Sequence, residues 1–497
     1  MLLTSLLPAC QDYTLYGTPD GLQVQSIEYN SRFAGKNKIF VCMPGARIDG
    51  HSYAPMAYDQ GCRIFVCDHK MDLPDDAVQI VVETPRLTLA KLSAAFYNHP
   101  ADSLTVIGIT GTKGKTTTAI LLSEILSSSG HPCAYIGSNG VTIGTAHYDT
   151  VNTTPESREL HRYFRMMVDE GITHVVMEVS SQALKFYRVH GIHFDTCLYT
   201  NLSEDHISPS EHQDFEEYKE CKTRLFRLYN CRHIVCNADD PHCEDMIRGA
   251  DAEIIRYAID SPADFCGSNI RPFRNETALG IDFDCKTNGH TYPVRLRTPG
   301  DFSVYNGLCA IAAAQIYGVS VERCAAILKR MSIRGRFEIV DALDNITFII
   351  DYAHNGLSLE SALSVLREYK PNRLICLIGT VGGKAQNRRE ELADAAGRLA
   401  DHVIFTSDNP DREPPEEIIR DMLLSFRNAK PYEAIVDREE AIRRAVQMAQ
   451  DGDIVLFAGK GHENYQLING EKIPFSERDL ILDEAAILKE GLQTRLI

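Results

Sequence analysis

The residues best suited to chemistry in this chain are Gly111, Thr112, Lys113, Gly114, Lys115, Thr116 and Thr117. Glycines let backbone N–H groups approach phosphate oxygens, and a helix start adds positive partial charge. Lys115 would reach the outer phosphates of a nucleotide, and Thr116 would offer its hydroxyl to Mg²⁺. Ile109 stands where the usual G-x-x-x-x-G-K-[ST] spacing has its first glycine, so this is a variant phosphate loop. A Gly-rich turn that binds nothing is the bland alternative. The apolar β-rich run at 104–109 before the loop and the helical run at 118–126 after it argue against that.

Other polar groups sit where strands should end. Glu178 closes the run 174–178, and a carboxylate there could face the loop and hold Mg²⁺. A solvated strand-end acid would look the same. His206, within 201–206, is a second candidate against the commoner structural histidine. Three further loops stand out: 351–355 (Asp-Tyr-Ala-His-Asn), 408–412 (Asp-Asn-Pro-Asp-Arg) and 459–463 (Gly-Lys-Gly-His-Glu). Each alone could be a turn, but three at the strand ends of one sheet more plausibly line one cleft. Cys231, His233, Cys236, His242 and Cys243 have no common zinc spacing and read instead as a strand running into a turn.

The elements that must position these groups are α/β in pattern. Short apolar strands at 39–43 and 63–67, punctuated by the polar turns 49–51 and 68–70, and a helix at 86–98 make a small N-terminal α/β domain, residues 1–100. Strands alternating with helices over 101–333 predict a central phosphate-loop domain with a mostly parallel sheet. Strands at 346–352, 373–379, 402–406 and 453–458 predict a C-terminal Rossmann-like domain, residues 334–497.

Composition narrows the class. A chain of 497 residues has room for three cores. Its net charge of −17 argues against nucleic acid as a partner. Fifteen scattered cysteines without a CxxC suggest reduced thiols used as small hydrophobes, as in a cytoplasmic protein. The N-terminus lacks a basic region, and no apolar run approaches ~18 residues, so no membrane insertion is expected.

In this order and combination the motifs resemble the Mur ligase family, and within it the MurE type. The resemblance covers essentially the whole chain. The segments 31–32, 44–50, 153–155, 180–181 and 459–466 carry it beside the phosphate loop. It implies an ATP-dependent, amide-forming ligase of peptidoglycan precursor synthesis, using Mg²⁺. The carboxylate would be the D-glutamyl γ-carboxyl of UDP-MurNAc-L-Ala-D-Glu, activated as an acyl phosphate and attacked by a diamino acid. The resemblance further implies catalytic roles for Lys115, Lys222 and His206, with Thr116, Glu178, His206 and a carbamoylated Lys222 around the metal. Asn306, Arg336, Asp351 and Asn355 would join residues 111–117 on ATP. Ser31, Thr153, Thr154, Ser181 and Arg188 would hold the UDP-linked dipeptide. Arg389, Asp408, Asn409, Asp411, Gly459 and Glu463 would take the amino acid, in a monomer.

Three positions depart from the family's pattern. Its diaminopimelate loop reads D-N-P-R, and here the fourth residue is Asp411. An acid there would repel a carboxylate and attract the side-chain ammonium of lysine or ornithine, which predicts L-lysine over meso-diaminopimelate, with ornithine kept as an alternative. Arg412, next along, is the cation that could reverse this. Gln182 replaces a common His, and Asn30 a common Asp before Ser31. The readings left are a phosphate-loop ATPase of unrelated role, a catalytically silent relative, or a folate-polyglutamylating ligase. The N-terminal segment and the 459–463 loop count against the first, the intact Lys115, Thr116, Glu178 and Lys222 against the second, and the N-terminal segment against the third.

Overall fold

In the computed structural model, residues 1–45, 49–204, 207, 211–275, 278–383, 386–427 and 430–495 are described. They form two compact units, Met1–Cys266 with Tyr305–Cys324, and Gly267–Val304 with Ala325–Ile497.

The first unit opens with β1 (Tyr13–Tyr16), β2 (Ser26–Glu28), β3 (Lys38–Val41), β4 (Ile64–Cys67) and β5 (Val78–Val82), in the order β1-β5-β4-β3-β2. All pair in parallel except β1. The helix expected at 86–98 is Pro85–Phe96; proline at its first position leaves no backbone N–H to satisfy.

A second sheet follows. Its strands are β6 (Thr105–Thr110), β7 (Cys133–Gly137), β8 (Gly140–Ile143), β9 (Ala146–Tyr148), β10 (His174–Glu178), β11 (Phe194–Tyr199), β12 (His233–Asn237), β13 (Glu253–Ala258) and β14 (Phe265–Arg274). They run β14-β13-β12-β11-β6-β10-β7-β8-β9, parallel from β13 to β7. Parallel strands covered on both faces read as unbroken apolar runs, and β6 and β10 are buried at all but their first residue. Cys231, Cys236 and Cys243 are buried in this core, with β12 where the strand was expected.

The second unit holds β15 (Leu279–Thr287) and β16 (His290–Leu296), an antiparallel hairpin. Then come β17 (Glu338–Val340), β18 (Thr347–Asp351), β19 (Leu374–Ile378), β20 (His402–Phe405), β21 (Tyr432–Ala434) and β22 (Ile454–Ala458), ordered β17-β18-β22-β19-β20-β21. Only β17 is antiparallel. A last hairpin, β23 (Tyr465–Ile468) and β24 (Glu471–Pro474), precedes the helix Glu477–Arg495.

The α/β class holds, with three differences in detail. The helix after the phosphate loop begins at Lys115, not 118, because Lys115, Thr116 and Thr117 are themselves its first turn. β14 to β16 were not expected, although Leu279, Ile281, Phe283 and Cys285 alternate with polar residues at the period of a half-buried strand. The hairpin β23–β24 was also missed; β23 is half-buried and β24 exposed, and such short strands give too brief a run for periodicity to show.

Candidate functional site

The phosphate loop leaves the buried end of β6 and enters the helix Lys115–Ser128. Two of its positions demand glycine. Gly111 has φ +147° and Gly114 φ +85°, and an added Cβ would stand 1.9 Å from Thr200 Oγ1 and 2.4 Å from Asn306 Oδ1 respectively. The loop backbone is held from below by Asn201, whose carbonyl accepts from Thr112 N (2.8 Å) and whose amide oxygen accepts from Lys113 N (2.9 Å). Thr200 Oγ1 donates to Lys113 O (2.7 Å). Asn306, expected on the nucleotide, stands beside the loop: its Oδ1 lies over Gly114 and accepts from Thr118 Oγ1 (3.3 Å).

Lys115 Nζ donates to Gly111 O (2.8 Å) and Thr112 O (2.9 Å). Lys222, buried on the helix Phe215–Arg227, donates to the same Gly111 O (2.8 Å) and lies over the Tyr218 ring. Two ammonium groups therefore share one carbonyl oxygen at the base of the loop. This local positive charge is what an anionic ligand needs on a chain of net charge −17.

Glu178 is fully buried at the end of β10. Its Oε1 accepts from Tyr135 OH and Ser138 N, both at 2.8 Å, and its Oε2 has Ser138 Oγ at 3.5 Å. Ser138 Oγ bonds Thr153 Oγ1 (3.0 Å), and Thr154 Oγ1 donates to Glu178 O (2.8 Å). Arg188 binds the same segment through Thr154 O (3.2 Å) and Glu156 Oε1 (2.9 Å). Ser181 Oγ meets His212 Nε2 at 2.9 Å. Thr153, Thr154, Ser181 and Arg188 are thus built around Glu178. The carboxylate of Glu178 and the hydroxyl of Thr116 are the hard oxygen donors Mg²⁺ prefers, so these residues fit that ion. An ammonium at Lys222 is not a metal ligand as it stands. His206 lies outside the described residues, as do Ala46, Arg47 and Ile48 of the 44–50 segment.

Beside this network a cleft of about 280 Å³ is lined by Tyr29, Asn30, Phe33, Val151, Asn152 and Arg158, among others. Tyr29 OH donates to Glu159 Oε2 (2.9 Å) and Arg158 to Glu28 Oε1 (3.2 Å), joining the first sheet to the helix Ser157–Asp169. Ser31 is buried at the cleft's turn. Asn30 Oδ1 caps that turn by accepting from Arg32 N (3.1 Å), work an Asp would do equally well. Gln182 Nε2 reaches Glu211 Oε1 at 3.4 Å.

In the second unit the three expected loops all leave the carboxyl ends of parallel strands. Asp351 is buried and accepts from Phe337 N (2.8 Å); burial pushes its carboxyl above the usual range despite the charge of Arg336. The Arg336 guanidinium lies 4.9 Å from the centre of the Tyr352 ring. Asn355 caps the helix Gly356–Glu368 through Ser358 N (2.9 Å).

Around the 408–411 loop, Lys460 is completely buried and donates to Asn409 Oδ1 (2.7 Å) and Glu463 Oε2 (2.9 Å), with Asp408 Oδ1 at 3.5 Å. Asn409 Nδ2 also donates to Glu463 Oε2 (2.9 Å). Gly459, φ +110°, leaves room for Asp408: an added Cβ would stand 3.1 Å from its Oδ2. These four expected residues are brought together, and Lys460 is their common partner. Sequence reading passed over it because a lysine between glycines looks like a solvated turn. Arg389 differs from expectation. Its guanidinium is spent on Glu413 (2.7 Å) and Asp421 (2.6 Å). Asp411 differs too: it has φ +53°, and its Oδ1 accepts from Gly470 N (2.8 Å) in the turn of the β23–β24 hairpin. Asn201, Tyr135 and Ser138 were also missed as site residues. Ser138 gave the same signal as Glu178, a polar group at a parallel strand's carboxyl end.

Three family models match the chain: the Mur ligase family catalytic domain over residues 23–97, the Mur ligase middle domain over 109–314, and the Mur ligase glutamate ligase domain over 335–461. A protein of Bacillus cereus named UDP-N-acetylmuramoyl-L-alanyl-D-glutamate–2,6-diaminopimelate ligase is 36% identical over 504 residues, covering 100% of this chain and 99% of its own. One of the same name from Geobacillus thermodenitrificans is 38% identical, covering 96% and 98%. A solved structure titled for the same ligase has TM-score 0.66 and 28% identity, covering 94% of this chain and 95% of its own. A MurF ligase from Thermotoga maritima, solved with ADP, shares the fold at TM-score 0.60 and 17% identity over 96% of this chain and all of its own.

Proposed function

This chain belongs to the Mur ligase family of ATP-dependent amide-forming ligases, and we propose that it joins 2,6-diaminopimelate to the D-glutamyl γ-carboxylate of UDP-MurNAc-L-Ala-D-Glu. Its place would be peptidoglycan precursor synthesis. The observation that supports this most is the set at the phosphate loop: Lys115 and the buried Lys222 on Gly111 O, with the buried Glu178 walled by Thr153 and Thr154.

Each residue then has a task. The 111–117 backbone and Lys115 hold the ATP phosphates and offset their charge as the γ-phosphoryl passes to the dipeptide carboxylate. Glu178 and Thr116 would hold Mg²⁺, which supplies further neutralisation. Lys222, if carbamoylated, would become an oxygen ligand, and the modification would remove one of two cations crowded on Gly111 O. Thr153, Thr154, Ser181, Arg188 and Ser31 would orient the nucleotide-linked dipeptide. The diamino acid's free amine attacks the acyl phosphate, and the tetrahedral intermediate collapses to amide and phosphate, leaving ADP from the first step. Asp408, Asn409 and Glu463 offer the oxygen acceptors an incoming ammonium needs, pre-set by Lys460.

This proposal departs from the expectation of L-lysine. The relatives are named for 2,6-diaminopimelate. The physical reason is local. One oxygen of the Asp411 carboxylate is engaged with the hairpin backbone, which turns the charge toward Gly470 N. The exposed Arg412 lies at the same turn, its Nη2 4.0 Å from where a Cβ on Gly470 would stand.

Phosphate release tests the reading. It is expected only when ATP, the UDP-linked dipeptide and the diamino acid are all present. Release that ignores omission of the dipeptide would sink the proposal. A panel of 2,6-diaminopimelate, lysine and ornithine identifies the amine, and preference for lysine would reinstate Asp411 as a selector.

A further inference from the structure

Two polar turns stand apart from the phosphate loop and the amino-acid loops, Asp49-Gly50-His51 and Asp68-His69. They follow β3 and β4, which pair in parallel, so both turns leave the carboxyl edge of one small sheet. We propose that they form a binding site for a divalent ion of the Zn²⁺ class, ligated by His51 Nε2, Asp68 and His69, with Asp49 orienting His51.

The His51 side chain is only 7% exposed. Its Nδ1 lies 2.6 Å from Asp49 Oδ1. Asp49 also accepts from His51 N (3.0 Å). An ionised acceptor at that distance places the ring proton on Nδ1, which leaves Nε2 as the lone-pair nitrogen. A histidine whose other nitrogen is engaged by a carboxylate has the orientation of a metal ligand.

Nε2 then faces a second acceptor. It receives Asp68 N at 3.3 Å, but Asp68 Oδ1 stands 3.2 Å away. That same Oδ1 is 2.5 Å from His69 Nδ1. The two imidazole rings stack, centroids 4.6 Å apart and 27° from parallel. One potential ligand atom from each of the three residues lies within 4.8 Å of the other two. The Nε2 lone pair takes the Asp68 N–H, and a cation drawn in by the adjacent carboxylate would compete with this donor for it. A second proton on His51 is the rival occupant, and a metal ion is the one that also uses His69. Two imidazoles and one carboxylate suit Zn²⁺ or Co²⁺, not Mg²⁺. The partly exposed side, where Asp68 and His69 stand, leaves room for water as the remaining ligands.

The test is a calorimetric titration of Zn²⁺ into the full-length, tag-free chain with Mg²⁺ in excess, which keeps hard-oxygen sites filled. One Zn²⁺ per chain is expected. Its affinity should fall at least tenfold in His69→Ala and in Asp68→Asn, and about 10–100-fold in Asp49→Asn, which removes the orienting carboxylate. Co²⁺ should give a visible absorption band that disappears in the same variants. His69 is 61% exposed, so its loss should leave the circular dichroism unchanged. Zn²⁺ uptake that is absent in the wild-type chain, or identical in His69→Ala, overturns the proposal and leaves the proton as occupant.

Discussion

Arg438 and Glu477 offer the sharpest test of how the second unit holds its loops. Both are buried at the first turns of their helices, Arg438–Met448 and Glu477–Arg495. Arg438 Nε donates to Glu477 Oε1 (2.9 Å), Nη1 to Ser407 O (3.0 Å) and Nη2 to Ala458 O (2.9 Å). Those two carbonyls are where β20 and β22 give way to the 408–411 and 459–463 loops. One guanidinium therefore pins both. Desolvation raises the Glu477 carboxyl above its usual range in spite of Arg438, so each partner depends on the other. Removing one partner of a buried pair costs about 3–5 kcal/mol, whereas replacing both with apolar residues costs little. Arg438→Met and Glu477→Leu should each lose about 4 kcal/mol. The double variant should lose only about 2–3 kcal/mol, the cost of two carbonyls left without their donor. With a urea m-value of about 2 kcal/mol/M, each single variant shifts the midpoint by about 2 M. Far-UV dichroism and tyrosine fluorescence report it, since the chain has 21 tyrosines and no tryptophan. In the double variant KM for the diamino acid should still rise while KM for ATP stays put, because the loops have lost their pin. A double variant that loses the sum of the two singles, about 8 kcal/mol, would refute the coupling on which this rests.

Three further outcomes are expected. Gly111→Ala should abolish ATP binding in calorimetry, because its φ of +147° and the 1.9 Å approach to Thr200 Oγ1 leave no place for a methyl; normal affinity would show that the loop reshapes freely. His161 is buried, with its imidazole pKa lowered to about 4 from 6.5, chiefly by desolvation. The unfolded chain binds that proton first, so stability holds above pH 6.5 and falls as pH drops toward 4, by about 3 kcal/mol in all. His161→Phe should flatten the urea midpoint across this window, and an unchanged slope would assign the acid sensitivity elsewhere. Arg412→Ala should raise KM for 2,6-diaminopimelate about 10–100-fold, the worth of one charged hydrogen bond, with little effect on lysine; an unaltered KM would remove Arg412 from the pocket.

The parallel strands were legible because burial on both faces leaves unbroken apolar runs, as in β6, β18 and β22. The phosphate loop was legible because its glycines are required by the backbone, whatever surrounds them. The short hairpin strands β23 and β24 were not, since four residues give too brief a run for an apolar pattern to show. Glu178 could be found from its place at a strand end, but nothing local announced Tyr135, 43 residues away, as the donor that fixes its carboxylate.

The amino-acid loops show why side-chain type is the weaker guide. Arg389 reads as a fork for a substrate carboxylate, yet Glu413 and Asp421 already fill that fork. Asp411 reads as a repelling charge, yet its left-handed backbone turns the carboxylate onto Gly470 N. Lys460 reads as a surface cation, yet it is wholly buried and sets Asn409 and Glu463 in place. In each case the residue's long-range partner decides what a ligand meets. Those partners lie 24 to 59 positions away in the chain for Arg389, Asp411 and the Lys460–Asn409 bond. Only the Lys460–Glu463 contact is local, and it alone could have been read from the 459–463 motif. A charge in such a loop therefore says what chemistry is available, and the count of its internal partners says whether that chemistry is still on offer. By that count Arg412, exposed beside the hairpin turn, is better placed than Asp411 to govern the choice of amine.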